Sequence, residues 1–100
     1  MINLSKCFIE KDQWYWKHKV DFIYFKCPVQ GHNHEICLPI TTGDSFIAHK
    51  TNQSDYPVWH YEIKEGRVYL SPSVSCDTGE CKFHDFFSFD EIVNSVENLW

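Results

Sequence analysis

Apolar and polar positions along this chain alternate far more than they recur at helical spacing, which predicts strands. The best of them is HKVDFIYFKC at 18–27. Val20, Phe22 and Tyr24 share one face, and Ile23 and Phe25 share the other. Charge interleaves the first half, while the second half is apolar on both faces, as in a strand that enters a core. Pro28 cannot donate to a ladder and Gly31 permits a tight turn. EICLPI at 35–40 then reads as the return strand, with TTGDS at 41–45 as its closing turn. Residues 46–58 have loop composition and are expected to be irregular and mobile. WHYEIKEGRVYLSPS at 59–73 reads as a hairpin. Trp59, Tyr61 and Ile63 line one arm, Val68 and Leu70 the other, and Lys64, Glu65 and Gly66 form the turn. Pro72 is expected to end the second arm, leaving PSVSCDTGEC as a loop. INLSKCFIE at 2–10 fits a short strand or a turn. The tail SFDEIVNSVENLW changes period. Ser88 and Glu91 have capping-box spacing, and Ile92, Val93, Val96, Leu99 and Trp100 predict a helix over about 89–98.

A chain of 100 residues is expected to form one domain over 1–100. Its core is modest, so a metal or disulfide staple would help it. Aromatic residues make up 17% of the chain, which suits strands and gives much buried area per residue. The formal charge is -5 and lysines and arginines form no cluster, which disfavours a phosphate backbone or an anionic membrane as partner. A protein partner with a basic surface suits this charge better. No apolar run reaches the roughly eighteen residues of a membrane span, and the first residues lack a signal-peptide pattern. The expected location is the cytoplasm, or the host cytoplasm for a phage-encoded chain. In such a reducing compartment the five cysteines point to metal ligands or buried thiols more than to disulfides.

The residues that concentrate chemistry lie in CPVQGHNHEICL at 27–38 and CDTGECKFH at 76–84. Tetrahedral zinc takes four thiolate or imidazole ligands. Cys27 and His34 stand at the two ends of a turn between antiparallel strands. Cys81 and His84 are three positions apart. Together these four predict a zinc site. His32, on the turn itself, is the reserve for His34, and Cys76 competes with Cys81. A Cys76–Cys81 disulfide is the alternative. Cys37 is expected to be a small core residue, and Cys7 to be buried or incidental. His18, His49 and His60 stand apart from any cluster.

FKCPVQGHNHEICLP, followed by W…G-x-V-x-LSPSV and C-x-x-H-x-F-F, resembles a family of small uncharacterised phage and bacterial proteins. Its members carry CPCG…H…LP, LSPS and C…H…F segments, which positions 25–40 and 59–87 match in order. On that pattern Cys27, His34, Cys81 and His84 fall on the family's cysteine and histidine positions. The position of its second cysteine falls near Val29 or Gln30. The resemblance implies a zinc β-ribbon-like fold and supplies no activity.

The fold expected is therefore mainly β (α+β), a small antiparallel zinc-ribbon-like sheet with a C-terminal helix. The function expected is a zinc-stabilised protein-interaction module directed at a host or defence protein. A nucleic-acid-binding zinc ribbon and a zinc-dependent hydrolase are the alternatives. Enzyme chemistry is disfavoured, because four protein ligands close a zinc site and no H-E-x-x-H motif is present. Glu35 and Asp85, beside the two histidines, are the acids such an enzyme would use.

Overall fold

The computed structural model describes residues 1–29, 31, 33–49, 55–78 and 81–100, and the side chains of all of these except 49, 55, 56, 75–78 and 81–84. Seven strands follow one another: β1 (Ile2–Tyr15), β2 (His18–Lys26), β3 (Glu35–Thr41), β4 (Phe46–His49), β5 (Asp55–Lys64), β6 (Arg67–Thr78) and β7 (Cys81–Ile92). A single 3-10 turn, Val96–Leu99, comes after them. The strand order is β3-β2-β1-β7-β6-β5-β4, and β3 also pairs with β5. That last pairing closes six strands into a ring, a small barrel, with β4 added beyond it on β5.

The sheet is mixed. β1 runs parallel to β7, with Ile2 opposite Phe87 and Leu4 opposite Phe89. β3 runs parallel to β5, with Ile40 opposite Trp59 and Thr41 opposite His60. The remaining pairings are antiparallel. An all-antiparallel zinc ribbon is thus not the architecture, although the mainly β character holds.

Each of the six ring strands sends alternate apolar side chains into one cluster. Cys7, Ile23, Phe25, Ile40, Tyr61, Val68, Leu70, Val74, Phe87 and Phe89 are all buried there. Phe25 sits between Phe87 and Phe89, with ring centroids 5.3 and 5.1 Å away. Tilted aromatic contacts of this kind add to the area they bury. A barrel of few strands has an interior that side chains fill, and Phe25, Tyr61, Phe87 and Phe89 supply much of that filling. A second, smaller cluster of Val20, Ala48 and Val58 lies where β4 covers β2 and β5.

A partly buried polar cluster borders the core. The Tyr61 hydroxyl donates to Asp21 Oδ2 at 2.7 Å and accepts from Lys11 Nζ at 2.8 Å. The Asp12 amide donates to Asp21 Oδ1 at 3.0 Å. Asp12 has φ 58 and lies where the β1–β2 register slips between Glu10 and Gln13. Asp21 therefore holds a β-bulge on one side and the barrel's Tyr61 on the other.

Several sequence expectations are corrected. The predicted helix over 89–98 is strand as far as Ile92, followed only by the short 3-10 turn. Phe87 and Phe89 are fully buried, so β7 keeps a period of two. Ser88 does not cap a helix: its hydroxyl donates to Asn3 Oδ1 at 2.7 Å. β1 extends to Tyr15, well past residue 10. Pro72 does not end β6, which runs to Thr78, and the expected loop PSVSCDTGEC is largely a hairpin arm. Part of 46–58 forms β4 and the start of β5, while 50–54 lies outside the described residues. Among the described residues, no helix is long and apolar enough to cross a membrane.

Candidate active site

The hairpin β5–β6 carries the constellation with the clearest chemistry. Glu65 and Gly66 form its two-residue turn, both with positive φ (55 and 79). That turn fixes the register: His60 opposite Ser71, Glu62 opposite Tyr69 and Lys64 opposite Arg67. Tyr61 and Leu70, the pair between, are buried in the barrel. Strand alternation therefore puts His60, Glu62 and Lys64 on the outer face with Ser71 and Tyr69. A depression of about 400 Å³ lies among them, lined by His60, Glu62, Lys64, Tyr69, Leu70 and Ser71.

His60 is held from two sides. Its Nδ1 lies 2.7 Å from the Gly43 carbonyl oxygen, and its Nε2 lies 3.2 Å from Glu62 Oε1. A carbonyl oxygen can only accept, so Nδ1 carries the proton. The second carboxylate oxygen of Glu62 meets Lys64 Nζ at 3.2 Å. The Gly43 carbonyl and then Glu62 favour the protonated ring and raise the pKa of His60 above its ordinary value. In return His60, and then Lys64, lower that of Glu62. Ser71 stands directly across the ladder from His60, where paired Cβ atoms lie roughly 4.5–5.5 Å apart. Both ring nitrogens thus face acceptors, Nδ1 a carbonyl and Nε2 a carboxylate, and Ser71 is the cross-strand neighbour of the ring.

Cys27, His34, Cys81 and His84, the residues expected to bind zinc, lie outside this hairpin. The Cys27 amide donates to the His34 carbonyl oxygen at 2.9 Å, so these two do meet across their turn. Cys27 is buried and His34 is exposed. His32 lies outside the described residues, as do the side chains of Cys76, Cys81 and His84. The β6–β7 register sets Thr78 opposite Cys81 and Ser75 opposite His84. Cys37 is exposed and not a core residue, because β3 turns Ile40 inward and Cys37 the other way. Cys7 is fully buried, and burial pushes its thiol up to about 12. Of the two acids considered, Glu35 is exposed, and Asp85 Oδ1 accepts the Phe86 amide at 2.7 Å. Among the described residues, no three His, Cys, Asp or Glu side chains converge as a metal site requires.

A family model matches residues 3–94, and its description reads bacterial ubiquitination-like system serine protease (BubE). The chain belongs to the BubE family. No curated protein and no solved structure matches it. BubE membership replaces the uncharacterised zinc-ribbon-like family as the assignment, and bacterial protease replaces phage protein. It also overturns the reading of a zinc-stabilised interaction module and the one that disfavours enzyme chemistry. Zinc as a cofactor falls with them, since the family's chemistry is that of a serine protease and no metal cluster forms among the described residues. His60, set apart in the sequence as an isolated histidine, is instead held between Gly43 and Glu62. The signal was available: a two-residue turn at Glu65–Gly66 puts 60 opposite 71 by counting alone.

Proposed function

We propose that this chain is a serine protease whose nucleophile is Ser71 and whose general base is His60. It acts on a peptide bond in a protein of a bacterial ubiquitination-like system, the setting that the family description names. The observation that carries this reading is the cross-strand pairing of Ser71 with His60, whose Nδ1 is fixed on the Gly43 carbonyl. In the first step Ser71 Oγ bonds to the substrate carbonyl carbon and its proton passes to His60 Nε2. The tetrahedral adduct collapses, the C–N bond breaks, and the amine leaves with that proton. Water then attacks the acyl ester, gives its proton to His60, and releases the carboxylic acid as Ser71 takes the proton back. For His60 to accept a proton its Nε2 must first be deprotonated. The contact with Glu62 then loses its attraction, and Lys64 is placed to retain the carboxylate.

A fluorophosphonate tests the reading. Mass spectrometry of the labelled protein should place the adduct on Ser71. Ser71→Ala should abolish labelling and lower peptidase activity at least about a thousandfold, while Ser73→Ala and Ser75→Ala keep the label. An adduct on Ser75, opposite His84 in the ladder, would move the site one strand over and sink the assignment.

A further inference from the structure

At Ser71 and at the residue after it, the backbone has no N–H to give a substrate. When Ser71 Oγ bonds to a carbonyl carbon, the carbonyl oxygen becomes an oxyanion, and serine hydrolases meet that oxygen with hydrogen-bond donors placed in advance. The two-residue turn at Glu65–Gly66 makes Lys64 and Arg67 a hydrogen-bonded pair, and bonded and non-bonded pairs alternate along the ladder from there. His60 and Ser71 fall on a bonded pair, so the Ser71 amide is committed to the His60 carbonyl. Pro72, which follows, carries no N–H. The donor must therefore come from elsewhere in the depression.

Tyr69 lies two positions before Ser71 on β6, so both project from the outer face, and both line the depression that holds His60. Strand rise sets their Cα atoms about 7 Å apart, a gap that a tyrosine side chain and an adduct on Ser71 Oγ close between them. Tyr69 is half-buried, and its hydroxyl has no hydrogen-bond partner among the described residues. The hydroxyls of Tyr24 and Tyr61, by contrast, donate to Glu10 and Asp21. Tyr69 also faces a carboxylate across the ladder, Glu62, but one oxygen of Glu62 meets His60 and the other meets Lys64. Its O–H is thus a donor left over on the face where the oxyanion would form. Lys64 is no substitute, since it is paired with Glu62 and stands four positions along β5 from His60. We infer that Tyr69 is a catalytic residue of the protease, its hydroxyl donating a hydrogen bond to the oxyanion of the adduct on Ser71. The inference rests on Ser71 being the nucleophile. The phenol keeps its proton throughout, and the Ser71 proton passes to His60 as before.

Hydrolysis of p-nitrophenyl acetate tests this, with Ser71→Ala supplying the background rate to subtract. Tyr69→Phe should lower the Ser71-dependent kcat about 100–1,000-fold, the usual cost of losing one oxyanion donor, and leave KM within about twofold. Its urea unfolding midpoint should stay where it is, because the lost hydroxyl bonds to nothing in the fold. A kcat within about threefold of the unmutated protein, with Ser71→Ala inactive, overturns the role of Tyr69 and leaves the nucleophile standing. So does a raised KM at unchanged kcat, which is the mark of ordinary binding. A fall in kcat that comes with a lowered urea midpoint makes Tyr69 structural and overturns the inference too. If the unmutated protein hydrolyses the ester no faster than Ser71→Ala, the nucleophile and the role of Tyr69 fall together.

Discussion

At the scale of single residues, the proposed base His60 sets the pH response expected of the site. The Gly43 carbonyl and the Glu62 carboxylate both favour the imidazolium, which raises its pKa above the ordinary value of about 6.5. Any stability that this pair contributes is present at low pH and fades as pH rises through the raised pKa. Catalysis has the opposite slope, since a general base works only as the neutral ring. Activity should therefore climb with pH, with an inflection above the ordinary histidine value. Glu62→Gln keeps the Gly43 contact and removes the second cause, so the inflection should move to lower pH, towards the ordinary value. A pH–rate profile of both proteins checks this, and an unmoved inflection would show that another group titrates. Cys7, by contrast, is structural. It donates weakly from Sγ to the Glu91 carbonyl oxygen at 3.7 Å and, with its pKa pushed up to about 12, is chemically quiet.

At the scale of elements, the β5–β6 hairpin does the positioning. Glu65 sits at φ 55, a conformation that costs a residue with a Cβ, and Gly66 at φ 79. Asn followed by Gly is the pair such a turn prefers. Glu65→Asn should therefore stabilise the protein by about 0.5–1 kcal/mol, and Gly66→Ala should destabilise it by about 1 kcal/mol. The space around Gly66 is open, so the second loss is conformational and not steric. Urea unfolding midpoints moving in opposite directions check the pair of variants, and two shifts of the same sign would contradict it. This hairpin was also the most legible part of the sequence, because turn chemistry and alternation agree over 59–71. β2 and β3 were legible for the same reason. The tail was not. Ser88, Glu91 and Ile92 fit a helix pattern, and only the burial of Phe87 and Phe89 against β1 and β6 selects the strand. Local spacing cannot report a partner that lies eighty positions away.

At the scale of the whole molecule, closure of the ring assembles the candidate site. β3 meets β5 at Ile40–Trp59 and Thr41–His60, and the same connection brings Gly43 onto His60. Ile40 and Tyr61 anchor that seam inside the barrel and are fully or almost fully buried. The candidate site was only half legible for this reason. Cysteines and histidines close in sequence drew attention to a metal, while Ser71, His60 and Gly43 come from three separate elements. Counting back from the Glu65–Gly66 turn pairs His60 with Ser71, but no spacing brings in Gly43, which arrives with the β3–β5 seam.

The parallel pairing of β1 with β7 has a consequence in time. Lys6 lies opposite Glu91 and Cys7 opposite Ile92, so the first strand waits for the last. During synthesis β1 can pair with β2 early, but its other edge stays open until β7 has left the ribosome. Such long-range pairing is entropically slow, and chains dominated by it refold in milliseconds to seconds. Stopped-flow refolding should show the aromatic interior of Phe25, Phe87 and Phe89 becoming ordered in that range, whereas a microsecond phase would indicate a nucleus that forms without β7. Until then the unpaired β1 edge is open to other chains, and the cell's exposure to misassembly of this protein is set by how quickly its last strand arrives.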